Sequence, residues 1–374
     1  DAPATHGQDA HATVRPPNVS VSSGGGGRRG RGPVTLTARR YVVVVLVAAA
    51  AWLVVAAAAL TIGPVNIFGV GGAVQRQMLD GRIGEVVTAS LVGAALAVSG
   101  AAFQALLRNP LADPYILGVS GGASLGVILG TLVLPPAWLY LRLPLGGTVS
   151  LPGVCGFLMA LAVIAVVYLI AQRRGRLDPY RLILTGVVAS AFFSAAIMLA
   201  VALAGDRLRN ELIFWLMGGL GSPRDQRGEL AVAAVVVMAG LAVFVWQARG
   251  FNLLAFGEDV AASLGLDVQR HRRTAFVVAS LLAGISVSLA GPIGFVGLIV
   301  PHLVRMAFGS DHRLLVPLSV FGGAVFLTVA HRLVLLVPYE VGGGLPVGIV
   351  TAMCGVPFFV LLLVCGRGIR GGVL

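Results

Sequence analysis

Between Tyr41 and Cys365 the chain is a succession of apolar runs of about twenty residues, parted by short stretches that hold most of its arginines. About twenty apolar residues is the length a helix needs to cross the hydrocarbon of a bilayer. Composition agrees: 374 residues are 57% hydrophobic and only 11% charged, and mean hydropathy is +0.93, far from ordinary soluble usage. The runs predict an all-α polytopic membrane protein with about ten transmembrane helices. They lie near 41–62, 86–107, 115–134, 151–171, 182–204, 230–248, 274–290, 293–308, 314–336 and 345–365. The seventh to ninth are short or interrupted by Gly and Pro, so nine spans would also fit. Glu211 to Gly219 is too short to cross and reads as an interfacial or re-entrant helix.

Residues 1–40 are rich in Ala, Gly, Pro, Ser and Arg, with Gly24 to Gly27 followed by Arg28, Arg29 and Arg31. This segment is expected to be a disordered basic tail near an anionic membrane surface. The apolar run behind it is too long for a cleavable signal. Residues 41–374 then form one transmembrane domain. Every one of the 27 basic residues is arginine. Without lysine there is no standard Walker A loop and no Schiff-base chemistry, which excludes a P-loop ATPase within this chain. Placing the N-terminus inside puts nineteen arginines on the cytoplasmic side and eight on the other, which satisfies the positive-inside rule with both termini cytoplasmic. Five spans plus five also give halves of opposite orientation, as an inverted repeat would, with a faint echo between 89–100 and 279–291.

Ionisable residues are nearly absent from the spans. Glu85 stands at a span end, and His302 and Arg305 lie toward the inner end of the eighth. Carriers that couple to protons or ions usually place carboxylates or histidines within the membrane. Whatever powers transport is therefore expected outside this chain. Cys155, Cys354 and Cys365 sit in or at the ends of apolar runs and read as packing residues. Small residues at Gly93, Ala97, Gly100 and Ala101 allow close helix approach, either for packing within the subunit or for moving helices around a pathway.

Two interruptions carry more information. Gly257 to Arg273 is an island of charge between apolar runs. Glu258 and Asp259 suit a first helical turn, Val260, Ala261 and Leu264 share one face, Gly265 stops the helix, and Asp267 can cap a second short helix holding Arg270. It is either a docking knob or a solvated arginine-rich loop. In the second interruption Pro110 and Pro114 break the chain among Gln104, Arg108, Asn109 and Asp113. Broken backbone at membrane depth has to line a cavity or be buried in protein.

The stretch Gly100 to Ser124 resembles the permease subunits of ABC importers for cobalamin, haem and ferric siderophores, the FecCD-like family. That family shows Gly-x-x-x-Gln-x-x-x-x-Asn-Pro-Leu-Ala-x-Pro followed by Leu-Gly. Further matches follow in order: Phe214 to Gly219, Gly291 to His302, and Leu345 to Gly348 leading to Pro357-Phe358. The resemblance runs from about residue 41 to the C-terminus. It implies a type II ABC importer permease fold in a bacterial cytoplasmic (inner) membrane. It also implies a homodimer with the pathway at its axis, two separate ATP-binding cassette subunits that hold ATP and Mg, and a soluble substrate-binding protein. This chain would itself be no enzyme and would need no cofactor, no metal and no nucleic acid. The resemblance assigns 257–273 to coupling helices, with Gly257, Glu258, Val260, Ala261, Leu264, Gly265, Leu266 and Arg270 meeting the ATPase. It makes Asp178, Pro179 and Tyr180 a cytoplasmic gate loop, bulkier than the family norm. It places Arg82, Glu85 and Arg332 at the outer mouth to dock the binding protein, and makes Gln104, Asn109, Pro110 and Pro114 a pathway motif.

Two positions depart from the family pattern. Arg82-Ile83-Gly84-Glu85 replaces Arg-Leu-Pro-Arg, so that Arg82 and Glu85 could pair along a helix, and Gly344 replaces a glutamate before Leu345-Pro346, with Glu340 upstream. The expected cargo is a large metal chelate, haem or a ferric siderophore first and cobalamin second, with His331 beside Arg332 as a possible haem contact. The rival reading is a secondary transporter or channel acting alone. The absence of intramembrane carboxylates and the docking-type island argue against it. No cluster of nucleophile and base supports a membrane enzyme.

Overall fold

The structure is a computed structural model, and it describes residues 38–63, 65, 67–69, 71–142, 147–173, 176–220, 227–337 and 344–365. The basic tail expected at 1–40 lies outside them except for its last three residues, as does Glu340. Among the described residues the chain forms twelve α-helices and two small antiparallel ribbons. The helices are α1 (Ala38–Thr61), α2 (Gly72–Leu107), α3 (Val119–Val133), α4 (Leu151–Ala171), α5 (Pro179–Leu203) and α6 (Asp206–Leu216). They continue with α7 (Arg227–Ala255), α8 (Glu258–Ser263), α9 (Val268–Ala290), α10 (Val296–Phe308), α11 (His312–Leu335) and α12 (Val347–Cys365). Strand β1 (Tyr140–Arg142) pairs with β2 (Thr148–Ser150), and β3 (Gln172–Arg173) with β4 (Arg176–Leu177).

Seven helices, α1, α2, α4, α5, α7, α9 and α11, are long and apolar enough to cross a membrane, and α3, α10 and α12 are shorter apolar helices. Some expected boundaries are corrected. The second span begins at Gly72, not near 86, which gives a helix of 36 residues. The third, expected from 115, is a 3-10 turn over Pro114–Leu117 followed by only 15 residues of α3. The short amphipathic helix begins at Asp206 and stops at Leu216, earlier at both ends than the apolar pattern suggested.

Helix α2 is the centre of the fold, packed on α9, α10 and α11, whereas α1 and α5 keep most of their apolar surface exposed. Without water there is no hydrophobic driving force between spans, so contact rests on backbone approach and dispersion. Glycines supply that approach. A Cβ on Gly93 would land on the carbonyl of Gly323, one on Gly323 would land on that of Gly93, and one on Gly100 would strike the backbone of Gly297. The small residues of α2 therefore serve packing within the subunit. The two stretches of the internal echo lie side by side: the Ser99 hydroxyl donates to the Ala279 carbonyl at 2.7 Å.

Candidate functional site

Helix α8 hangs between the ends of α7 and α9 by two left-handed glycines, Gly257 (φ 117°) and Gly265 (φ 86°). Its end is a Schellman closure: Gly265 N–H donates to Ala262 at 2.9 Å and Leu266 N–H to Ala261 at 3.0 Å. Asp267 then caps α9 by accepting from Arg270 N–H at 3.0 Å. The break at Gly265 and the cap at Asp267 stand where the residue pattern put them. The second short helix does not exist as such, because Arg270 and its neighbours are the first turns of the continuous α9.

The predicted apolar face is corrected in two respects. Ala261 is fully buried against Leu254 and Val268 of its own chain, so it anchors α8 and presents nothing outward. The outward residues are Val260 and Leu264, 45% and 62% exposed, joined by Phe256 at 74%. Phe256 was missed because it precedes the island's first glycine: it lies in the turn between α7 and α8, outside the helical period that relates Val260 and Leu264. Glu258 holds the segment from the other side: its carboxylate meets the buried Arg272 guanidinium of α9 at 2.7 Å.

Neighbouring elements brace the same end. Phe251 of α7 packs edge-on against His271 and, at a tilt, against His312, with ring centroids 4.7 Å and 5.4 Å away. Asn252 accepts from the His312 backbone N–H at 2.8 Å and donates to Asp311 at 2.6 Å. Arg108, at the end of α2, donates to the Leu254 carbonyl at 3.1 Å. These bonds tie α2, α7, α9 and α11 together beneath α8.

The residues predicted to form a gate loop begin a helix instead. Asp178 is the N-cap of α5 and accepts from Tyr180 and Arg181 N–H, at 2.9 Å and 3.3 Å. Pro179 takes the first helical position, where its missing N–H costs nothing. Tyr180 projects, exposed, from the first turn.

In the broken stretch, Arg108 ends α2 in a left-handed conformation (φ 48°), and the Asn109 side chain closes an Asx turn on Leu111 N–H at 2.9 Å. Pro110 lies within that turn, and Pro114 opens the 3-10 turn with its ring against Gly297. Gln104 is buried and ties α2 to α10, donating to the Gly297 carbonyl at 3.1 Å and accepting from Arg305. His302 sets its ring edge-on to Phe358 of α12 at 5.7 Å. Asp113 caps the 3-10 turn by accepting from Tyr115 N–H at 2.9 Å. The residue is part-exposed, but its carboxyl points inward, where burial pushes its pKa up to about 6 against the pull of the Tyr115 and Phe295 N–H groups.

A raised carboxyl pKa means that the folded state holds more protons than the unfolded one between about pH 4 and pH 6. Stability at this site therefore falls as pH rises through that window. Asp113→Asn keeps a capping oxygen and removes the buried charge. Its stability relative to the native chain is expected to rise by about 1 kcal/mol between pH 5 and pH 7.5, read from unfolding midpoints at the two pH values.

Three of the sequence motifs meet at one point. Gly219 N–H donates to the Ala290 carbonyl at 2.9 Å, and Gly348 N–H to the Gly218 carbonyl at 3.2 Å. A Cβ on Gly291 would meet the Trp215 carbonyl, one on Gly218 the Pro292 carbonyl, and one on Gly348 the Met217 carbonyl. The irregular backbone of 217–219 and 291–295 is thus held by close backbone contact at Gly218, Gly291 and Gly348, with Gly218, Gly291 and Ile293 buried. Its strain is marked by Phe295, held at φ 69°. Nothing local in any of the three motifs revealed this junction.

At the end remote from α8, the expected charged rim is corrected in its geometry. Arg82 and Arg332 are buried, 8% and 5% exposed, and spend their guanidinium groups on the carbonyl end of α1. Arg82 donates to Leu60, at 2.9 Å, and to Val65, and Arg332 donates to Ile62 at 3.3 Å. Glu85 does not pair with Arg82. Its carboxylate lies 3.1 Å from Arg332 and 3.5 Å from His331. His331 is likewise buried, its ring Nε2 lying 3.5 Å from the Glu85 carboxylate.

Comparison with known proteins places this architecture. The FecCD transport family model matches residues 41–365. The cobalamin import system permease BtuC of Halobacterium salinarum is 40% identical over 298 residues, covering 79% of this chain and 75% of its own. The hemin transport system permease HmuU of Yersinia pestis is 36% identical over 296 residues, covering 79% and 85%. The solved structure of a metal-chelate type ABC transporter in an inward-facing conformation superposes with a TM-score of 0.73 at 26% identity, covering 86% of this chain and 99% of that one. With a family match over nearly all of its described length and the same helical architecture, this multi-pass membrane protein belongs to the FecCD transport family and is the permease subunit of an ABC importer.

Proposed function

We propose that this permease moves a large metal chelate across a bacterial cytoplasmic membrane as a homodimer, driven by two separate ATP-binding cassette subunits and supplied by a soluble binding protein. The observation that carries the reading is the group of exposed apolar side chains Phe256, Val260 and Leu264, on and at either end of a short helix braced by Ala261 and the Glu258–Arg272 pair. Exposed apolar side chains on a rigid mount at an arginine-rich end suit a cleft in a soluble partner better than a solvated loop. The arginine asymmetry supports a cytoplasmic position for that end and for both termini. Asp178, Pro179 and Tyr180, at the head of α5, are the gate in this reading. ATP and Mg belong to the partner, and this chain contributes no catalytic group, metal site or cofactor.

The relatives named above carry cobalamin and hemin in their names, and the solved neighbour a metal chelate, which supports the substrate class. With His331 beside Glu85, none of the described side chains at this end favours haem over a siderophore or cobalamin. The binding protein would meet the surface around the Arg82, Glu85 and Arg332 cluster, whose buried charges shape the surface more than they extend into it.

The experiment is reconstitution in proteoliposomes, with and without the ATPase subunit, using hemin, a ferric hydroxamate siderophore and cyanocobalamin as probes. Uptake of one probe only when the ATPase and ATP are present is the expected result. Uptake by the permease alone would establish the secondary transporter or channel instead.

A further inference from the structure

The braced end contains one bond that joins two regions separated in sequence by two membrane-crossing helices, α5 and α7, and by the short helices α6 and α8. The side-chain oxygen of Gln269, in the first turn of α9, accepts from the backbone N–H of Leu177 at 3.1 Å. Leu177 is the last residue of the β3–β4 ribbon, is itself buried, and is followed directly by Asp178, the N-cap of α5. Asp178 N–H in turn donates to the Ala171 carbonyl at the end of α4, at 3.2 Å. One helical turn beyond Gln269, and on the same side of α9 by i, i+3 spacing, Arg272 holds Glu258 of α8 at 2.7 Å.

We infer that Gln269 is a positioning residue that carries displacement of α8 to the first turn of α5. The route is contiguous and short: α8 through Glu258 to Arg272, along one turn of rigid helix to Gln269, through the Leu177 amide to Asp178 and so to Pro179 and Tyr180. Coupling between distant groups is carried by packed side chains, hydrogen bonds and rigid elements, and each link here is one of these. The link acts through an acceptor oxygen at glutamine length. A buried backbone N–H deprived of its acceptor loses more than the net worth of one bond, so the ribbon would then follow α9 only loosely. The inference rests on the coupling and gate readings proposed above and adds the connection between them.

The test uses the full complex with its ATPase in nanodiscs and Tyr180→Cys carrying a fluorescent label, with the signal read before and after trapping with ATP and vanadate. The background with Gln269 intact is expected to show a signal change. Gln269→Leu is expected to reduce that change at least about fivefold in complexes that still hold the ATPase. Gln269→Asn, one methylene too short to reach Leu177, is expected to do the same and serves if the leucine variant fails to assemble. Gln269→Glu keeps an acceptor oxygen at the same length and is expected to retain the change. A full response in the leucine or asparagine variant would overturn the inference, as would loss of response in the glutamate variant. Leu264→Asp, run in parallel, separates this from the underlying reading. If it assembles and responds normally, the coupling role of α8 is wrong, whereas if it alone abolishes the response, α8 couples by a route that does not use Gln269.

Discussion

Leu264→Asp is expected to lower ATP-driven uptake at least about tenfold while the permease inserts and folds normally. Leu264 stands at the end of α8, and within the described residues it is 62% exposed, as Phe256 and Val260 are largely exposed beside it. A carboxylate there costs the isolated permease almost nothing. In a desolvated partner cleft it would be an unpaired buried charge, a penalty of several kcal/mol, and each 1.4 kcal/mol is about tenfold in an equilibrium. Phe256→Asp should behave in the same way. Ala261→Asp should not, because Ala261 is packed against Leu254 and Val268, and a charge there disrupts the mount itself. The check is co-purification of the ATPase subunit with each variant, followed by uptake in proteoliposomes. Normal assembly and uptake with aspartate at both 256 and 264 would remove α8 as the docking element.

Glu85→Gln is expected to be among the most destabilising single changes outside the helix–helix glycine contacts, at about 3 kcal/mol. The carboxylate is the counter-charge of Arg332, which is buried where α1, α2 and α11 meet and has no other acid near it among the described ion pairs. Desolvating a guanidinium is costly, and removing its partner leaves that cost without its offset. The double variant Glu85→Gln with Arg332→Gln should recover most of the loss, since no charge is then left unpaired. Thermal unfolding of the four proteins in detergent forms the cycle. If the double variant is no more stable than Glu85→Gln, the two residues do not act as a pair. The same cycle bears on docking. If charge at this end mainly steers a soluble partner, the variants would instead change its association rate and salt dependence while leaving the unfolding midpoint in place.

Much of this protein is written locally. Runs of twenty apolar residues become helices because lipid offers the backbone no other partner, so the order of the spans followed from the sequence. Asp267 and Gly265 mark helix ends because a cap or a left-handed turn depends on only a few neighbouring residues. The family pattern, a sum of such short motifs, was legible for the same reason. Long-range pairing was not. That Glu85 turns to Arg332 rather than to Arg82, that Ala261 faces inward while Phe256 faces out, and that the three glycine-rich motifs converge at one junction are outcomes of packing. So is the bond from Leu177 to Gln269. A helix presents its residues in all directions, and which direction is inside depends on where the other helices lie. In a membrane that placement rests on backbone approach at glycines rather than on a hydrophobic face. An Ala- and Leu-rich span carries no amphipathic stripe to announce it, and only the tertiary structure could decide it.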